Sequence, residues 1–170
     1  MNVQDAIRTK RAVRKFTPEP LPEETILAIL NAGRRAQSAK NKQPWQFIAV
    51  QERSTLEALS RLGTYAGHLA GAALGVVLAT PDPSARWSIL FDAGQAAAYM
   101  QLAAWERGVG SCLATIYQPD DARRLLSVPG DVFLPVAISF GKPLDPRALQ
   151  SPPRKGGRQP LESLVHWERW

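Results

Sequence analysis

The sequence predicts one domain of mixed helices and strands, ending in an arm that leaves the domain to wrap a second subunit. Three observations carry this expectation. The chain has 170 residues, 45% of them hydrophobic, and a domain of that size buries roughly 70% of the surface its unfolded chain exposes. Apolar stretches of helical spacing alternate with short alternating or wholly apolar runs bounded by proline and glycine, the pattern of interleaved helices and strands. Residues 143–160 hold five prolines and an adjacent Gly156-Gly157 pair, a composition unsuited to a compact core, yet Leu161, Leu164, Val165, Trp167 and Trp170 follow it. Two tryptophans at a terminus need a surface to bury them.

Taken in order, Asn2 caps a short first helix and Asp5 complements its dipole. Pro18, Pro20 and Pro22 forbid a continuous helix through the following linker. Pro22 suits the first position of a second helix, with Glu23 and Glu24 in its first turn, Ile26, Leu27, Ile29 and Leu30 on its buried side, and Gly33 as its stop. Residues 34–44 are polar and irregular. Trp45–Val50 reads as a strand, Thr55–Leu62 as a short helix, and Ala73–Thr80 as a buried strand stopped by Pro81. The alanine-rich stretch Trp87–Arg107 is the longest helical pattern and ends at Gly108. Ser111–Ile116 is a further strand, Asp120 and Asp121 open a helix running to Leu126, and Phe133–Phe140 is the last core strand. No repeat and no domain boundary interrupts the chain.

Composition narrows the function classes. With 21% charged and 8% aromatic residues the chain is not globally disordered. Cys112 is the one cysteine, which excludes a disulfide framework and a multi-cysteine metal site. The segment Met1–Arg11 is polar and basic, and the longest apolar run, Leu69–Ala79, has eleven residues, where a bilayer span needs about 20. A soluble, cytoplasmic protein is the expectation.

The net charge of +6 is unevenly placed. Residues 8–15, 34–42 and 154–158 hold twelve of the 21 cations and none of the 15 acids, so the remainder sums to −6. A nucleic acid or other polyanion would explain such segments, but only Phe16 interleaves with the cations, against what single-strand binding wants. The familiar catalytic signatures are missing. There is no Gly-x-Ser-x-Gly elbow and no HExxH spacing, and Gly108-Val109-Gly110-Ser111-Cys112-Leu113 lacks the third glycine of a dinucleotide fingerprint. Cys112 reads as a buried core thiol, and His68 and His166 as surface or packing residues. The segment Lys10-Arg11-Ala12-Val13-Arg14-Lys15-Phe16 is more specific, because cations at 10, 11 and 14 can converge on a phosphate.

That segment, followed by Ala36-Gln37-Ser38-Ala39-x-Asn41-x-Gln43-Pro44-Trp45, resembles the two opening motifs of the FMN-dependent nitroreductase family. Asp92, Gln95 and Gly108-Val109-Gly110-Ser111 resemble its central helix and the turn after it, and Gly157-Arg158-Gln159-Pro160-Leu161-Glu162 is similar to its C-terminal signature. The resemblance implies an α+β nitroreductase-like fold, a central mixed β-sheet flanked by helices, in a domain-swapped homodimer with exchanged C-terminal arms and two FMN sites at the interface. Residues 1–170 then form one FMN-binding domain, with 143–170 the arm that packs on the partner. Lys10, Arg11, Ala12 and Arg14 match positions holding the FMN phosphate, ribityl chain or pyrimidine edge, and Arg158 matches the C-terminal phosphate contact. Ser38, Asn41 and Gln43 match the segment that the opposite subunit places against the flavin, and Leu113, Ala114 and Thr115 the loop beside the isoalloxazine. Ala12 stands where serine is common, Gln37 where proline is, and Gly156 where lysine is.

By the same resemblance the activity is an FMN-dependent NAD(P)H oxidoreductase working by a ping-pong cycle through flavin N5 on nitro compounds, quinones or similar small acceptors. No side chain need then be catalytic, because the cofactor carries the chemistry. Arg14, and after it Lys10, are the cations expected near flavin N1 and O2. The alternatives are other flavin chemistry on the same fold (dehalogenase, dehydrogenase or flavin-modifying) and a basic nucleic-acid or anion-binding module. The short stretch Thr80–Trp87 implies a reduced lid.

Overall fold

The structure, a computed structural model, describes residues 3–149 and 157–170. The Asn2 cap, Lys155 and Gly156 lie outside the described residues. Four strands, β1 (Gln46–Val50), β2 (Leu74–Thr80), β3 (Gly110–Thr115) and β4 (Phe133–Gly141), form one sheet in the order β1-β2-β4-β3. All three pairings are antiparallel. The parallel component of the expected mixed sheet is reduced, among the described residues, to a single bridge from Ala12 to Ser111.

Five helices cover both faces: α1 (Val3–Thr9), α2 (Glu23–Arg34), α3 (Arg53–Leu59), α4 (Ser88–Glu106) and α5 (Pro119–Leu126). No described helix is long and apolar enough to cross a membrane. Every residue of the central strand β2 is buried, which explains its unbroken apolar sequence. Side chains alternate across it. Leu74, Val76 and Leu78 join Ile26, Ile29, Met100 and Phe140 under α2 and α4, while Val77 and Ala79 join Leu56, Leu59, Leu69 and Ala122 under α3 and α5.

One expectation for α2 is corrected. Leu27 is 56% exposed, because the helix buries the stripe of Ile26, Ile29 and Gly33. Gly33 stands one residue before the end of the helix, where a Cβ would sit 2.7 Å from Met100 Cγ. The alanine-rich face of α4 and this glycine let the two helices approach closely. Gly108 does end α4, at φ +71, with the N–H of Val109 donating to the Ala104 carbonyl and that of Gly108 to Trp105. Those bonds satisfy carbonyls that the helix end leaves free.

At the start of α3 the Glu52 carboxylate accepts from the N–H groups of Ser54 and Thr55 at 3.0 and 2.6 Å and from both hydroxyls. These donors lower its pKa to about 2. A depressed folded pKa contributes stability above the ordinary carboxylate range and loses it as pH falls toward 2. Glu52→Gln is therefore expected to flatten the acid limb of the stability profile between pH 4.5 and about 2, which denaturant midpoints taken across that range measure.

Candidate functional site

The chain after α1 is extended and lies against the outer edge of β3. The N–H of Val13 donates to the Ser111 carbonyl at 2.9 Å, beside the Ala12–Ser111 bridge. Gly110 permits this approach, since a Cβ there would stand 2.7 Å from Val13 Cβ. Lys10 is drawn back toward α4, where its Nζ donates to Gln101 Oε1 at 2.8 Å.

Electrostatics show which of the expected residues share this place. Burial lowers the pKa of Lys10, Cys112 opposes that shift, and the charge of Arg158 adds to it. Burial likewise raises the Cys112 thiol, against the pull of Arg14 and Lys10. Lys10, Arg14 and Arg158 thus act on one another's neighbourhood around the head of β3. Among the described residues no carboxylate pairs with them or with Arg11. Arg11 donates through Nη1 to the carbonyls of Arg8 and Lys10, and its buried Nε has no partner. Four cations without a counter-ion, one of them carrying an orphaned buried donor, make a place for an anion rich in acceptor oxygens. A phosphate monoester fits that donor set.

Leu113, Ala114 and Thr115 lie in β3, the strand expected over Ser111–Ile116, and not in the loop that the family resemblance implied. The Ser111 carbonyl faces outward to Val13, so by strand alternation the main-chain groups of Leu113 and Thr115 face the same edge, where the Thr115 carbonyl lies against Gly63. Ala114 is 3% exposed and packs in the core. Its side chain has no face toward a ligand on that edge.

Ser38, Asn41 and Gln43 stand elsewhere. Their loop is held by Asp92 of α4, a residue 2% exposed whose two carboxylate oxygens each accept from the Ala39 N–H at 3.2 Å. Arg86 Nη2 lies 3.9 Å from the same carboxylate. Within the loop Ser38 Oγ accepts from the Gln43 N–H at 2.9 Å, and Gln43 Nε2 donates to Asn41 Oδ1 at 3.1 Å. Lys40, Asn41 and Gln43 all take positive φ, at 53°, 53° and 48°. Such backbone costs energy and persists where surrounding contacts over-determine it. Asp92 and Gln101, which anchor the two groups, are nine residues apart on one helix, about 13 Å along its axis. Within one chain Lys10, Arg14 and Arg158 are close enough for their charges to act around Cys112 of β3, Arg11 adjoins Lys10 and bonds its carbonyl, and Ser38, Asn41 and Gln43 stand apart. A cleft of about 620 Å³ lies beside that second group, lined by Lys42, Gln43, Trp45, Arg86 and Asp131 among others, and not beside the cations.

Sequence reading missed a buried polar group behind β3. His68, of the two expected roles, has the packing one at 7% exposure; its Nδ1 is 2.7 Å from Ser139 Oγ, and Ser139 donates to the Cys112 carbonyl at 3.3 Å. The register pairing Cys112 with Ser139 is the signal that unites them, and it exists only once the strands are paired.

The nitroreductase family model matches residues 7–64 and 61–142. The chain belongs to the nitroreductase family. Two archaeal relatives, each named "Putative NADH dehydrogenase/NAD(P)H nitroreductase", are similar along the whole length. That of Methanothermobacter thermautotrophicus is 29% identical over 100% of this chain and 88% of its own. That of Archaeoglobus fulgidus is 29% identical over 96% of each. Among solved structures, the FMN-dependent nitroreductase of Clostridium difficile R20291 superposes with a TM-score of 0.83 at 26% identity, covering 99% of this chain and 100% of that one. The α+β architecture read from the motifs is that of the nitroreductase family, and the chain is an oxidoreductase of this family.

Proposed function

We propose that the protein is an FMN-dependent NAD(P)H oxidoreductase that reduces small acceptors such as nitro compounds or quinones, working as a homodimer with two cofactor sites at its interface. The observation that carries this reading is the set of cations Lys10, Arg11, Arg14 and Arg158, which among the described residues have no carboxylate partners, three of them acting around Cys112 of β3. Bound FMN supplies hydride transfer, from NAD(P)H to the flavin and from the flavin to the acceptor in a ping-pong cycle.

The residues of the chain bind and orient. Arg11 and Arg158 give the phosphate its charge-assisted hydrogen bonds. Arg14, with Lys10 behind it, provides positive charge for the pyrimidine end of the flavin. The main chain of Leu113, at the edge of β3, would hold the flavin ring. Ala12 brings no hydroxyl, so its main chain is what it offers. Ser38, Asn41 and Gln43 come from the partner subunit, which is why they stand at the far end of α4 within one chain.

The exposed apolar surface supports the dimer. Trp87, the N-cap of α4, and Phe91 in its first turn are 80% and 64% exposed with their rings in edge contact at 6.1 Å. Trp167 and Trp170 of the arm are 84% and 102% exposed. Surfaces of this kind mark protein contacts. The test is sizing chromatography with FMN quantitation. A two-chain species holding one FMN per chain is expected, and Trp167→Ala with Trp170→Ala is expected to weaken FMN binding about tenfold or more while loosening the dimer. A folded, flavin-loaded monomer contradicts the shared site.

A further inference from the structure

The buried group His68, Ser139 and Cys112 has no part in the function proposed above, yet it lies directly behind the edge of β3. His68 sits on the 3-10 turn Ala66–Gly71, which packs on both β3 and β4. Its ring is held from β4 by Ser139, which is fully buried and 2.7 Å from Nδ1. Burial and the charge of Arg14 lower its pKa. Its Nε2 is buried and has no hydrogen-bond partner among the described residues. Cys112 completes the contact, because Ser139 reaches its carbonyl at 3.3 Å and the two residues are register partners. An apolar side chain would fill this place on a face otherwise made of Leu69, Ala114 and Ala137. A polar group so buried has consequences when its partners are lost, because each unsatisfied atom carries its full desolvation cost.

We propose that His68 is a positioning residue for the cofactor. Through Ser139, its imidazole fixes the main chain of β3 at Cys112, and with it the height at which the outward groups of the adjoining Leu113 would meet the flavin. The inference rests on the FMN reading above. A cofactor whose two redox states differ in charge and hydrogen bonding at its ring responds to such a displacement unequally. The affinity for one state then changes more than that for the other, which simple loss of packing does not require.

The experiment measures dissociation constants of oxidised and of reduced FMN for the wild type, His68→Leu, His68→Asn and Ser139→Ala, together with the amide signals of Leu113 and Thr115 in the holoprotein. The ratio of the two constants is expected to move about tenfold or more in His68→Leu, with both amide signals displaced. It moves about threefold in Ser139→Ala, and least in His68→Asn, which keeps a polar group at the Nδ1 position. A folded His68→Leu protein with a ratio within about twofold of wild type and unmoved amides overturns the proposal. If His68→Leu does not fold, Ser139→Ala decides by the same criterion, an unchanged ratio being the contradiction. A wild-type protein that binds no FMN overturns the functional reading itself, and is recognised before any variant is compared.

Discussion

Asp92→Ala is expected to destabilise the protein by about 2–4 kcal/mol and to cost FMN affinity at the same time. The carboxylate is buried, with both oxygens on the Ala39 N–H and Arg86 close by. Its removal leaves a buried N–H and a half-buried guanidinium without their acceptor, each costing about 1–3 kcal/mol, and opens a small cavity beneath the loop. The backbone at Lys40, Asn41 and Gln43 stores strain that this clamp helps to hold. Released, the loop relaxes and no longer presents Ser38, Asn41 and Gln43 in one arrangement. Asp92→Asn keeps one acceptor for Ala39 and is expected to lose about half as much. Denaturant unfolding of the apoprotein reads the stability, and FMN titration reads the consequence at the site. Wild-type stability in Asp92→Ala contradicts the clamp.

Arg14→Ala and Lys10→Ala are each expected to weaken FMN binding by roughly 10- to 150-fold, the equivalent of one charge-assisted hydrogen bond of about 1.5–3 kcal/mol. The apoprotein responds differently. Among the described residues these cations have no carboxylate partners, and Lys10 is held below its ordinary pKa first by burial and then by Arg158. Taking one of them away relieves repulsion, so apoprotein stability is unchanged or rises. Riboflavin, which lacks the phosphate, separates the two ends of the site. A cation near the flavin ring affects both ligands, and a phosphate contact affects FMN alone. Equal losses of apoprotein stability and FMN affinity contradict a binding role for either residue.

Much of the fold was legible because the local signals agree with the tertiary structure. Pro81 after β2 and Pro143 after β4 mark where these strands stop, so Ala73–Thr80 and Phe133–Phe140 match β2 and β4 to within a residue. Leu27 was misplaced because four apolar residues in two turns do not say which stripe α4 covers. Ser111–Ile116 reads as a strand and is β3, but nothing local shows that Ser111 pairs on both sides, with Phe140 in β4 and with Ala12 across the outer edge. The cation cluster was visible as an acid-free run, because charge is a local property. The role of Asp92 was not, since its partner Ala39 lies 53 positions away and donates only a main-chain N–H, which every residue but proline carries. His68 was hidden for the same reason, its partner Ser139 being 71 positions distant. The separation of Ser38, Asn41 and Gln43 from the cations follows from helix length, and appears only when both anchors are placed on α4.

The most direct test is the visible absorption spectrum of the purified, FMN-reconstituted protein, recorded anaerobically before and after NADH or NADPH and then after a quinone or nitro compound. A yellow protein is expected, with a flavin band that bleaches on adding the reduced nicotinamide and returns with the acceptor. A preparation that stays colourless in the presence of FMN, or a bound flavin that neither nicotinamide reduces, contradicts the account.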